Sequence, residues 1–100
     1  MGTYYRRTNL SVASIGTSYN LTVATDPVTQ IVVSTGYTAC EIVNIGPSTI
    51  VYGDSSVTAS SGGMLFYSMN KVFNGITGTF SFYVIADSVA GTLKVIGYKA

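Results

Sequence analysis

Apolar and polar residues alternate with a period of two along most of this chain, and clusters of Gly, Asn, Asp, Ser and Pro break the alternation about every eight to twelve residues. That rhythm leaves room for short strands and little else. Apolar positions at i, i+3, i+4 and i+7 are nowhere sustained, because a Gly or a β-branched residue interrupts each window. Essentially no α-helix is expected. The pattern predicts strands at residues 4–13, 18–24, 29–34, 39–45, 49–52, 64–68, 79–86 and 92–98.

The breaks have chemical reasons. Asp26-Pro27 removes a backbone donor and fixes φ, and Thr35-Gly36 offers a residue free to take positive φ. Ile45-Gly46-Pro47-Ser48 reads as a tight connection between antiparallel strands, Ala59-Ser60-Ser61-Gly62-Gly63 as the most flexible stretch, and Asp87-Ser88-Val89-Ala90-Gly91 as the turn of a closing hairpin. About eight such strands in one chain of 100 residues predict a single domain over residues 1–100. Its expected class is all-β: a small antiparallel β-sandwich, jelly-roll-like, with two sheets packed face to face. In the closing hairpin Phe80, Phe82 and Val84 share one face and Ser81, Tyr83 and Ile85 the other, and both faces are largely apolar. A strand apolar on both sides is covered twice. The outer cover is expected to be another copy of this chain or a different subunit.

Chemistry is constrained by what is missing. The sequence has no His, no Trp, one Cys, five basic and four acidic residues, so few groups could hold a proton or a metal near neutral pH. A serine triad lacks its histidine, and no Gly-x-Ser-x-Gly elbow occurs. Asp26, Asp54 and Asp87 fall in predicted turns, and with Glu41 they match no calcium-loop spacing. Cys40, alone in an apolar run, allows neither an intrachain disulfide nor a multi-cysteine zinc site and reads as a small buried hydrophobe. Lys71, Lys94 and Lys99 read as solvated surface charge. An enzyme is therefore not expected, and neither are catalytic residues, a cofactor or a metal. A formal net charge of +1 gives no field for nucleic acid. No apolar run approaches the ~18 residues of a membrane span, and no apolar segment follows the charges of residues 1–7, so secretory export is not expected.

Binding is the remaining role. Tyr4, Tyr5, Arg6 and Arg7 combine rings with the chain's adjacent cations and read either as a docking arm onto an acidic neighbour or as a first strand whose charged edge discourages unwanted pairing. The loop Ser60, Ser61, Gly62, Gly63 and Met64 is the second expected contact region. Eight tyrosines also admit a glycan-binding reading, that of a carbohydrate-binding module, which the absence of Trp disfavours.

From Glu41 onward the chain runs Glu41-Ile42-Val43-Asn44-Ile45-Gly46-Pro47-Ser48-Thr49-Ile50-Val51-Tyr52-Gly53-Asp54-Ser55-Ser56-Val57-Thr58, then a Ser/Gly loop, then Met64-Leu65-Phe66-Tyr67, before the strands around 80–86 and 92–98. This text resembles a recurrent module in small structural proteins of tailed bacteriophages, over residues 41–100. Ser68-Met69-Asn70-Lys71 stands where such modules often carry a Pro/Gly and acidic turn. The resemblance implies a virion component assembled in the host cytoplasm: a capsid decoration or auxiliary protein, or else a neck or tail protein. Its implied partners are capsid or other virion proteins, and its implied assembly is a homo-oligomer, a trimer or ring around a lattice axis. Burial of Tyr, Val, Ile and Phe would supply the affinity, with strand-edge pairing adding main-chain bonds.

Overall fold

A computed structural model of the protein describes residues 5–10, 17–33 and 35–99. Nine strands run along them: β1 (Tyr5–Leu10), β2 (Thr17–Val23), β3 (Val28–Val33), β4 (Tyr37–Asn44), β5 (Ile50–Gly53), β6 (Gly63–Leu65), β7 (Asn70–Phe73), β8 (Phe80–Ala86) and β9 (Gly91–Lys99). They form a five-stranded sheet in the order β1-β3-β8-β5-β6 and a four-stranded sheet in the order β2-β9-β4-β7. No helix occurs among the described residues.

Four antiparallel pairings, β2 with β9, β3 with β8, β4 with β7 and β5 with β6, describe one long doubled chain whose tip lies between β5 and β6. Two lateral pairings, β4 with β9 and β5 with β8, roll that doubled chain so that its rungs fall alternately into the two sheets. The result is a jelly roll, the all-β sandwich that the alternation predicts. Rolling also explains where the connectivity departs from expectation. The segments at 45–49 and 87–90 cross from one sheet to the other and turn no hairpin, and β5 with β6 is the sole pairing of consecutive strands among those described. Turn chemistry fixes where a chain bends but not which sheet the next strand joins.

Three strand expectations change. β7 occupies 70–73, where the sequence reads as a polar connection around Lys71; a strand of four residues, half of them polar, has too little alternation to stand out. The strand expected at 64–68 is three residues long, and Phe66 to Met69 form a turn closed by Met69 N donating to Phe66 O at 3.0 Å. β1 pairs with β3 in parallel, from Tyr5 beside Val28 to Leu10 beside Val33, which adds one parallel rung to an otherwise antiparallel body. Tyr4 and residues 11–13, part of the first expected strand, lie outside the described residues.

Alternate residues of both sheets build the interior: Leu21 and Val23 from β2, Ile31 and Val33 from β3, Cys40 and Ile42 from β4, Ile50 from β5, Leu65 from β6, Phe82 and Val84 from β8, Leu93 and Val95 from β9. On the outer face of the five-stranded sheet a second cluster, Val28, Val51 and Ile85, is capped by Val57 from the β5–β6 loop, with Tyr83 packed at its margin. The chain thus covers part of its own twice-apolar strand, where the sequence reading looks to another subunit. The stretch expected to be most flexible does this work. Thr58 and Ser61 exchange backbone bonds of 3.1 and 3.2 Å in a tiny hairpin, and Gly62, at φ +146°, lets the loop lie down where a Cβ would stand 2.7 Å from Tyr52 O and 2.8 Å from Val51 and Val57 side-chain carbons.

Two buried polar groups generate predictions. Thr29 is fully buried on the inner side of β3, and its hydroxyl has no hydrogen-bond partner among the described residues. Replacing that hydroxyl by a methyl removes a desolvation cost of about 1 kcal/mol. Thermal melts should place Thr29→Val ~4–8 °C above the wild type. Cys40 is buried, and desolvation, helped by the neighbouring Glu41 charge, pushes its thiol up to about 12. The unfolded chain therefore releases this proton first, so stability falls as pH rises above about 8.5 and continues to fall toward the folded value. Ellman's reagent should read no thiol in the native protein near pH 8 and one after denaturation.

Candidate functional site

Strand direction sorts the connections to two ends of the sandwich. The β2–β3, β4–β5, β6–β7 and β8–β9 turns share the first end, while the β3–β4, β5–β6 and β7–β8 connections share the opposite one. Each end carries a distinct surface.

At the first end, Asn44 is the organising residue. It closes β4 with its side chain directed inward and fully buried. Its Nδ2 donates to Ser48 O at 2.8 Å and to Leu65 O at 2.7 Å, and its Oδ1 accepts from Gly46 N at 2.8 Å. Its backbone is tied to the β6–β7 turn as well, donating to Met69 O at 3.0 Å and accepting from Ser68 N at 2.8 Å. One residue thereby fastens the β4–β5 turn to the β6–β7 turn. The β8–β9 turn joins them: Ser88 N donates to Ser48 Oγ at 3.2 Å, and Ile45 N donates to Thr92 O at 3.0 Å.

Apolar side chains stand outward from this fastened end. Ile45, Phe66, Tyr67, Met69 and Val89 are all exposed, Tyr67 most of all at 69%. The Tyr67 ring lies against Gly46, whose φ is +89° and where a Cβ would sit 3.0 Å from the ring. Ser68 follows at φ 66°, a left-handed conformation that a serine adopts at some cost. Large apolar side chains left exposed on turns tied together by buried hydrogen bonds make this end a candidate contact surface. Sequence reading places Phe66 and Tyr67 in a strand and so misses them. A signal was present: Met64-Leu65-Phe66-Tyr67 is apolar without alternation, which an edge strand of three residues can bury only in part.

At the opposite end, four rings gather where β7 faces β5 and β8. Phe73 stacks on Phe82 with centroids 4.6 Å apart and planes at 30°, Phe80 lies 5.4 Å from Phe73, and Tyr52 meets Phe73 edge-on at 6.0 Å. Lys71 sets its ammonium 5.7 Å from the Phe73 centroid. These rings floor a cleft of about 430 Å³ that Asp54 flanks. Asp54 is fully exposed, and bonds from Ser56, from its hydroxyl first and its backbone N–H second, hold the carboxyl below its ordinary value.

The residues expected to touch a partner do not form one site. Tyr4 lies outside the described residues. Tyr5, Arg6 and Arg7 belong to β1, one edge of the five-stranded sheet, whereas Gly63 and Met64 belong to β6, its other edge, with three strands between. Ser60, Ser61 and Gly62 form the folded-down loop over Val51 and Val57, and Met64 is exposed. Glu41 accepts from Tyr98 Oη at 2.8 Å and Asn70 Nδ2 at 2.7 Å on the outer face of the four-stranded sheet, and its bond raises the Tyr98 phenol above its usual value. No three His, Cys, Asp or Glu side chains converge among the described residues.

Comparison with protein-family models and with curated proteins gives no match. Among solved structures the chain is similar to PliG of Aeromonas hydrophila, a periplasmic inhibitor of g-type lysozyme, at a TM-score of 0.59 and 10% identity, covering 96% of this chain and 99% of that one. It is also similar to the pre-peptidase C-terminal domain of a Bacillus anthracis collagenase, at a TM-score of 0.49 and 16% identity over 97% of each chain. At 10% identity the first likeness is one of fold, consistent with the all-β architecture, and carries no residue across.

The Asn44 amide is the most exacting single group at the first end. Removing it in Asn44→Ala orphans two buried carbonyls and one N–H, each at a cost of about 1 kcal/mol or more. Denaturant unfolding should show a loss of about 3 kcal/mol, a large share of a domain's total stability.

Proposed function

We propose that this protein is a noncatalytic structural component of a bacteriophage particle, a decoration or auxiliary protein that docks through the first end of its sandwich. The observation that supports the reading best is the apolar surface of Ile45, Phe66, Tyr67 and Met69, exposed yet fixed by the buried Asn44 bonds. A surface held in one conformation loses little entropy on binding, so its burial is available as affinity. The resemblance of residues 41–100 to phage structural modules gives the partner its class, and the scarcity of ionisable groups agrees with contact as the working chemistry. Repeated copies on a symmetric lattice would present this end many times over.

Density-gradient centrifugation of phage particles carrying the protein tests the reading. The wild-type chain should sediment with the capsid. A Phe66→Ser, Tyr67→Ser variant, folded by circular dichroism, should stay in the unbound fraction, because losing two aromatic contacts of about 1.5–3 kcal/mol each weakens docking at least roughly a hundredfold. A wild-type chain recovered solely as a free monomer overturns the proposal.

A further inference from the structure

The ring-floored cleft at the opposite end lies away from the proposed docking surface and is not used by it. Tyr52, Phe73 and Phe80 are half-buried, so each ring gives part of its surface to the interior and part to the cleft. A second space of about 440 Å³, beside Asn74 and Thr79, shares Lys71, Phe73 and Phe80 with it. Either volume falls in the range of roughly 300–1,000 Å³ occupied by small-molecule sites.

The lining specifies the ligand's chemistry. An apolar floor favours a flat apolar face, while the margins offer hydrogen-bonding groups of both kinds: the Lys71 ammonium donates, and the Asp54 carboxylate accepts through Oδ2, its Oδ1 being taken by Ser56. One cation and one anion leave no net preference for a charged ligand, so the matching molecule is neutral, with one apolar face and a rim of hydroxyls. A pyranose sugar has that form. An extended peptide would want a long open strand edge to pair with, and β7, the edge strand beside the cleft, is four residues long. We infer that the cleft floored by Tyr52, Phe73, Phe80 and Phe82 binds a terminal hexopyranose of a neutral glycan, with Lys71 and Asp54 bonding its hydroxyls. In a particle-bound copy this end points away from the docked one, toward whatever surface the particle meets.

Amide chemical-shift titration of the full chain with maltose, lactose, mannobiose and chitobiose provides the test, with a proline-rich peptide as the competing ligand. At least one sugar should give saturable shifts centred on Lys71, Phe73, Thr79 and Phe80. Lys71→Ala and Asp54→Asn, both at the solvent-facing margin and so compatible with folding, should each weaken that sugar about tenfold. Neither substitution should alter sedimentation with particles, so this inference and the docking proposal fail separately. Silence toward all four sugars, shifts confined to the Ile45 and Tyr67 end, affinity unchanged in both variants, or a response to the peptide alone overturns it.

Discussion

The buried Asn44 amide is the interaction on which one whole end of the molecule depends. Three turns are tied together there, and a sandwich interior has no water to satisfy the backbone groups that turning exposes. Ser48 O, Leu65 O and Gly46 N would each be stranded without a partner, and Asn44 supplies all three from one planar group. Aspartate could not do so, since it would set carboxylate oxygens against two carbonyls. Because the same bonds hold the β4–β5 and β6–β7 turns in register, they also set where Tyr67 and Ile45 stand. Stability and the placing of the exposed apolar side chains therefore have a common origin at this end.

A second constraint is the rolled topology. Alternation along β8 puts Phe82 and Val84 into the interior and Tyr83 and Ile85 onto the outer cluster, and the β5–β6 loop folds Val57 over the latter. Self-covering of this kind reduces the apolar surface that needs a neighbour, and leaves the exposed apolar residues concentrated in the first-end turns. The two ends then differ in character: one presents exposed apolar side chains on a fastened frame, the other a cleft with rings below and charges at its lips.

Much of the fold could be read from residue order, and the reasons are local. Val28 to Val33, Phe80 to Ala86 and Gly91 to Lys99 alternate cleanly or run apolar between strong breakers, so their strands are visible without any knowledge of partners. β7 was not visible, because Asn70 and Lys71 look like loop residues until β4 is placed beside them, with Val43 and Ile42 as pairing partners and Glu41 accepting from Asn70. The candidate surfaces were legible only in fragments. Met64 was singled out, but Phe66 and Tyr67 looked like strand, and nothing in sequence spacing brings Tyr52, Phe73 and Phe80 together, since they lie on three strands of two sheets. Asn44 looked like an ordinary strand end; its importance comes from Leu65, 21 residues away.

The placement of β9 has a bearing on how the molecule comes into being. This strand lies between β2 and β4, joining two halves of its sheet that have no other described pairing with each other. Until β9 has been synthesised, β2 lacks the one strand described as hydrogen-bonded to it, and nothing ties it to β4 and β7. Maturation is thus tied to the arrival of a late segment, and a truncated translation product would be sticky material for chaperones and proteases to clear.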